Sequence, residues 1–255
     1  MIFIWLISFI FGSINSGADN SNVNPNFIRE QLTFKMEYLS LSVATLNFQI
    51  DAIQNNYHLK VKARATRSAS LMFKLDNLYE TYFDRLTFLP SKIVKQIRQK
   101  NIQHKLNFSF DHQKNRASLG DSISWSIPGD CFDYFSMLYF LRSQPLKPGD
   151  SFSFHLDSEY IIAKVEAKVL PEQQIIHVPA GKFNSRKLSL KFSAVTHQSR
   201  PWRTDLLTNR LASPGSEITI WFSDDENRLP LKIVYHQSQI KTQIVLDSFS
   251  RGQQH

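Results

Sequence analysis

Between Leu32 and Leu246 the hydrophobicity of this 255-residue chain alternates with a period of two almost without interruption. Leu32, Phe34, Met36 and Tyr38 alternate with Thr33, Lys35 and Glu37, and Tyr57, Leu59, Val61, Ala63 and Ala65 alternate with His58, Lys60, Lys62 and Arg64. The same beat returns at Leu106–Phe110, Phe152–Leu156, Ile161–Val169, Leu188–Ala194, Ile218–Phe222, Leu231–Tyr235 and Ile240–Leu246. A period of two is that of an extended strand with one face in a core and the other in water, the signature of antiparallel sheets. Polar turns such as Gln54-Asn55-Asn56 and Lys147-Pro148-Gly149-Asp150 separate the runs. The expected fold is all-β and mainly antiparallel, a strongly curved or barrel-like sheet forming a single domain over residues 30–250.

One segment departs from this beat. In PGDCFDYFSMLYFLRSQP, Pro128 to Pro145, Asp130 reads as an N-cap with Asp133 in the first turn, and Arg142 stands at the end ahead of Pro145. A helix is expected around 131–142. Phe132, Phe135, Leu138, Tyr139 and Phe140 leave it little polar face, so it is expected to be buried, plugging a barrel or capping a sheet.

The N-terminus is apolar from Ile2 to Phe11 apart from Ser8, too short to cross a bilayer core, which takes ~20 helical residues. Its length fits the apolar region of a signal peptide, and Ser16-Gly17-Ala18 supplies the small residues of a cleavage point, although no Lys or Arg precedes the run. Residues 1–18 are therefore expected to be a signal peptide and 19–29 a flexible leader, with an uncleaved anchor or a buried N-terminal strand as the alternatives. The expected location is periplasmic or secreted, in the cell envelope, with no membrane span after the signal. Net charge is +8, which favours an anionic partner. Export makes nucleic acid the least suitable one and leaves a lipid or other envelope component, or an envelope protein. Lys60, Lys62 and Arg64 alternate with apolar residues and read as the solvated face of a strand, while a basic stretch near Lys92–Lys105 reads as a strand edge open to protein contact. Cys131 is the single cysteine, so no internal disulfide forms, and its apolar surroundings predict a buried, unreactive thiol.

Motifs of catalysis are missing: no glycine-rich phosphate loop, serine elbow, His-Glu-x-x-His or Cys-x-x-Cys occurs. No catalytic residue, cofactor or metal ligand is expected. Asp224-Asp225-Glu226 lacks the alternate spacing and the glycine of a calcium loop and reads as the solvated tip of a hairpin. The segment Thr196–Ser216 is long for a strand connection and carries Arg200, Trp202, Arg203 and Arg210 without alternation. These four are the candidate contacts for an anionic or sugar-like partner, the competing reading being a lid packed on its own sheet.

Six short stretches occur in an order that resembles the bacterial family DUF3108: EQLTFKMEYLSL from Glu30, LDNLYETYFD from Leu75, DYFSMLYFLR from Asp133, LKPGD from Leu146, HVPAGKFNS from His177 and ITIWFSDDENRLPLKI from Ile218. The resemblance implies an exported protein with a curved or barrel-like sheet and a helix, and it carries over no catalytic residue. The Thr196–Ser216 segment is longer than the family usually carries. Three functions then compete: a non-enzymatic carrier of an apolar, lipid-like ligand held between sheet and helix; an envelope scaffold working through surface contacts; and, weakest, a polymer hydrolase.

Overall fold

The computed structural model describes residues 26–196, 199–205, 207–208, 213, 215–237 and 240–251. Strands β1 (Glu30–Tyr38), β2 (Leu41–Ile53), β3 (Asn56–Ala65), β4 (Asp76–Asp84), β5 (Pro90–Gln99), β6 (Ile102–Asp111), β7 (Arg116–Leu119) and β8 (Ile123–Ser126) form the first wing. A two-residue strand β9 (Cys131–Phe132) and the helix α1 (Tyr134–Ser143) carry the chain across the molecule. The second wing is β10 (Ser151–Asp157), β11 (Ile162–Val178), β12 (Gly181–Ala194), β13 (Glu217–Ser223), β14 (Pro230–Gln237) and β15 (Ile240–Arg251).

All fifteen strands join one sheet in the order β8-β7-β6-β5-β4-β3-β2-β1-β15-β14-β13-β12-β11-β10-β9. Each wing is a meander, and the first and last strands meet at the middle, with Glu30 opposite Arg251 and Tyr38 opposite Thr242. All pairings are antiparallel except β9 with β10. The sheet does not close, but its edge strands β8 and β9 are separated only by residues 127–130 and have four and two residues. Edges this short expose little unpaired backbone to a foreign strand. The end holding Glu30 and Arg251 is termed the lower end, and the end holding Tyr38 and Thr242 the upper end.

Alternation dictates the core. In β3, Tyr57, Leu59, Val61 and Ala63 are buried, while Lys62 and Arg64 are exposed. A large apolar cluster draws on β1–β4, α1 and β10–β15, so the two wings face each other with the helix between them. A smaller cluster of Ile93, Ile97, Phe108, Trp125, Ile127 and Ile162 fills the end formed by β5–β8.

Several expectations need adjustment. The helix starts at Tyr134 with Asp133 as N-cap, not Asp130, because Cys131 and Phe132 are extended and pair with His155 and Leu156 of β10. The Asp133 carboxylate accepts from the amides of Phe135 and Ser136, and Ser136 Oγ accepts in return from the Asp133 amide. The signal segment and residues 19–25 of the leader lie outside the described residues. Phe27 is fully buried against Tyr57, Phe88 and Tyr139, so packed structure begins before Glu30. Lys92–Lys105 is not a sheet edge: β5 and β6 are paired on both sides. Cys131 is buried, and burial, reinforced by Asp157, Asp130 and Asp133, pushes its thiol pKa well up, as an inert thiol requires.

Candidate binding cavity

The helix is pinned at both ends. At its start the Asp133 carboxylate also accepts from Thr81 Oγ1 of β4 at 3.0 Å. At its end Arg142, with no exposed surface, forms a fork onto Glu30 of β1 at 2.6 and 2.7 Å and donates to the Arg228 and Asn227 carbonyls at 2.9 and 3.1 Å. Tyr139 Oη and Arg251 complete the shell of Glu30 at 3.4 and 3.3 Å, and the guanidinium lies 4.5 Å over the Phe27 ring. A bidentate pair with further donors directed at carbonyls and the guanidinium stacked on two rings is the geometry that lets two charges survive without water. It closes the lower end.

Fixed at that height, the helix does not fill the upper half. A cavity of about 190 Å³ remains between the wings. Met36, Leu46, Phe48 and Val61 line it from the first wing, Phe135, Met137 and Leu138 from the helix, and Ile218, Ile220 and Ile244 from the second wing. Its few polar groups, Tyr79, Thr208, Tyr235 and Thr242 among them, carry hydroxyls and no formal charge. Met36, Tyr235 and Thr242 are only half-buried and lie near the upper end of β1, β14 and β15, which places the mouth there.

The connection from β12 to β13 covers this upper end. Its Leu207 and Thr208 reach the cavity wall, and its Asp205, with no exposed surface, meets Lys95 of β5. Lys95 Nζ donates to Glu159 Oε1 at 2.5 Å, Thr208 Oγ1 at 2.8 Å and Asp205 Oδ2 at 3.3 Å. Glu159 accepts in addition from Thr204 Oγ1 at 2.6 Å and Trp202 Nε1 at 3.1 Å. Burial pulls the Lys95 pKa down, but Glu159 and Asp205 outweigh it and hold the ammonium above its ordinary value. Burial likewise raises Asp205, yet Lys95 and the Thr208 amide bring it below the usual carboxylate range. Asp157 beside this seam has no cation of comparable weight. Burial pushes it up to about 7 against the pull of Trp125 Nε1 and the Tyr160 amide. The helix is tied to the same turn, Tyr134 Oη lying 2.7 Å from Ser158 Oγ.

The candidate contacts of the 196–216 segment separate. Arg200 turns inward, donating from Nε to the Glu159 carbonyl at 2.9 Å and from its terminal nitrogen to the Ser158 carbonyl. Trp202 packs on Phe108, Trp125 and Tyr160 at centroid distances of 6.1, 6.2 and 5.8 Å. Arg203 is exposed, and Arg210 lies outside the described residues. Arg200 thus holds onto the β10–β11 turn and Trp202 packs on the β5–β8 end of the chain's own structure. The acidic trio is a hairpin tip. Asp225 Oδ1 accepts from Ser223 Oγ and the Asn227 and Arg228 amides, while Asp224 pairs with Arg186 and Arg228 at 3.1 and 3.2 Å. On the strands the tip joins, Ile218 faces Tyr235 and Ile220 faces Ile233, and Phe222 meets Pro230 across a bulge.

An alternating open sheet wrapped around a helix and an apolar cavity defines a class of β-barrel-like proteins. The profile of the family described as "Protein of unknown function (DUF3108)" matches residues 33–239, and the chain belongs to that family. No curated protein matches the chain. Among solved structures it is similar to a β-barrel-like protein of the DUF1849 family from Brucella abortus, with TM-score 0.61 and 9% identity over 90% of this chain and 100% of that one. A protein from Bacteroides fragilis described as exported and YmcC-like in fold gives TM-score 0.40 and 10% identity over 89% of this chain and 98% of that one. Among the described residues no helix is long and apolar enough to cross a membrane.

Proposed function

We propose that this protein is a non-enzymatic carrier of the cell envelope that holds an apolar, lipid-like ligand between sheet and helix. The observation that carries the proposal is the cavity. Its walls are apolar with a few uncharged polar groups, the lining typical of a small-molecule pocket. The space exceeds the ~150 Å³ in which an apolar cavity takes up benzene, so it accepts a ring or a short acyl segment, with the remainder of a longer chain leaving by the mouth. The apolar N-terminal segment Ile2–Phe11 supports export.

In this reading the 196–216 segment is the lid. Arg200 and Trp202 hold its first part, and Leu207 and Thr208 touch the ligand. The candidate contacts act by positioning, and exposed Arg203 is left for an anionic group outside. Native mass spectrometry of gently purified protein and titration with a fluorescent fatty acid test the proposal. A retained lipid mass, or saturable probe binding that Ile220→Phe and Leu138→Phe each weaken, and weaken further together, without loss of fold, is expected. A clean apo mass with no probe binding overturns it.

A further inference from the structure

Apart from the cavity, the upper end carries an apolar surface that the described residues leave uncovered. Leu39 at the β1–β2 turn is 76% exposed and Leu41 70%, while Leu71 and Met72 of the segment joining β3 to β4 are 90% and 89% exposed. Isolated exposed apolar residues are ordinary, but contiguous ones mark an interaction site. Here the two turns that carry them lie side by side. Thr66, just before the second turn, donates from its amide to the Val43 carbonyl and from its hydroxyl to the Ser42 carbonyl, both at 3.0 Å, and so fastens that turn to the start of β2. The β1–β2 turn is also conformationally costly. Leu39 and Ser40 have φ of 49° and 63°, the left-handed region where Gly, Asn or Asp is normally found. A leucine held there and pointed at solvent serves neither the turn nor the core.

Beside these turns runs an open groove of about 660 Å³. It is rimmed by Arg64, Lys74, Arg98 and Lys100, with Asp76 the one carboxylate on its wall. That carboxylate is already taken by Arg64 at 2.9 Å. Exposed Arg67 adds a further cation between groove and apolar turn. Apolar tips flanked by cations, of which Lys74, Arg98 and Lys100 have no ion-pair partner among the described residues, match the interface of an anionic bilayer: hydrocarbon for the tips, phosphates for the cations. The lower turns differ. Exposed Leu86 follows Asp84, whose carboxylate caps its own turn, and the β13–β14 turn carries the acidic trio.

We infer that the upper end docks on an anionic phospholipid surface, with Leu39, Leu41, Leu71 and Met72 entering the headgroup layer while Lys74, Arg98 and Lys100 meet phosphates. The inference goes beyond the carrier reading and does not require the cavity to be filled. It would turn the cavity mouth toward the membrane, since Tyr38 at the base of the β1–β2 turn pairs with Thr242 at that mouth.

Flotation with vesicles of phosphatidylglycerol and phosphatidylethanolamine, against phosphatidylcholine vesicles, tests it with the full chain. Preferential binding to the anionic vesicles that weakens with salt is expected. Lys74→Gln and Lys100→Gln should each lower the partition coefficient about fivefold at low salt. Replacing Leu39, Leu41, Leu71 and Met72 together by Ser should reduce it by at least about a hundredfold with an unchanged circular dichroism spectrum. Leu86→Ser at the opposite end should change nothing. Equal binding to both vesicle types, or undiminished binding of the fourfold variant, overturns the inference. So does absence of vesicle binding together with a self-association that the fourfold variant abolishes, which would assign the face to a second copy. The cavity-filling variants should still bind vesicles, so failure of the carrier reading and failure of this one are distinguishable.

Discussion

The two ends of the molecule each bury charge, and they do it differently. At the lower end both charges, Arg142 and Glu30, belong to regular structure, a helix and a strand, and the other partners of Arg142 are two carbonyls of the β13–β14 turn and the rings of Phe27 and Tyr139. At the upper end Lys95 belongs to a strand, but Glu159, Asp205, Thr204 and Thr208 lie on connections outside the strands. The first network is a seal built into the sheet. The second is a latch between the sheet and a covering loop. Buried ion pairs contribute little net stability when intact but cost much when halved. The two networks should therefore fail in different ways.

The largest effect is expected below. Arg142→Leu leaves Glu30 buried beside the Tyr139 hydroxyl and the more exposed Arg251, and should cost ~3–5 kcal/mol of global stability, read as a lowered midpoint in urea with an unchanged slope. Above, Lys95→Met strands Glu159 and Asp205 in the same way, and ~3–5 kcal/mol would be lost if the loop stayed shut. The loop can instead release its carboxylates to water. Most of the loss should then appear as local opening: faster protease cleavage and amide exchange within 196–216, while β1, β2 and β15 keep their protection. If Lys95→Met lowers the global midpoint as far as Arg142→Leu does, the latch is a second seal and the distinction fails.

Acidity sharpens the contrast, because Asp157 sits against the latch. Its folded pKa of about 7 lies above the unfolded value of ~3.9. The folded state therefore binds more protons between those values, and stability falls as pH rises through that window. The contribution is fully present below pH ~4 and lost above about 7, with an upper bound of ~4 kcal/mol that water entry under the lid would reduce. Thermal melts from pH 4 to 8 should show this decline, and Asp157→Asn should flatten it. A slope unchanged by the substitution would mean that the carboxyl is already ionised and solvated.

Much of this fold is legible in the sequence because a single physical rule, alternation, governs most of it. The helix was legible through its broken period, but its start was displaced by three residues because both Asp130 and Asp133 are credible caps and only the pairing of Cys131 and Phe132 with β10 decides between them. The buried charges left a trace that alternation alone can detect. Lys95 stands on the apolar phase of β5 between Ile93 and Ile97, and Glu30 on that of β1 with Leu32 and Phe34. A charge in the buried phase requires a partner. Which partner is a matter of tertiary structure: Glu159 and Asp205 lie 64 and 110 residues from Lys95, in segments without periodicity. The cavity left no trace, since an apolar residue facing a void and one facing a neighbour read alike. Arg200 and Trp202 stood out as unusual residues, but composition could not tell whether they point outward or in.

The smallest expected effect concerns the acidic turn at the lower end. Asp225 Oδ1 accepts from Ser223 Oγ, the Asn227 amide and the Arg228 amide at 2.7, 2.9 and 3.2 Å, closing a turn in which Arg228 takes a φ of 48°. These bonds are partly open to water, and Asp225→Ala should cost about 1 kcal/mol. The turn nevertheless carries the Asn227 and Arg228 carbonyls that receive Arg142. If the seal depends on that turn, Asp225→Ala and Arg142→Leu share part of their cost. A double-mutant cycle should then return a coupling of at least ~0.5 kcal/mol, whereas independent sites would add within that margin. The same cycle between Asp225→Ala and Lys95→Met should show no coupling, because among the described residues nothing in the latch touches the lower turn. Coupling there and none at Arg142 would mean that the two ends have been assigned the wrong roles.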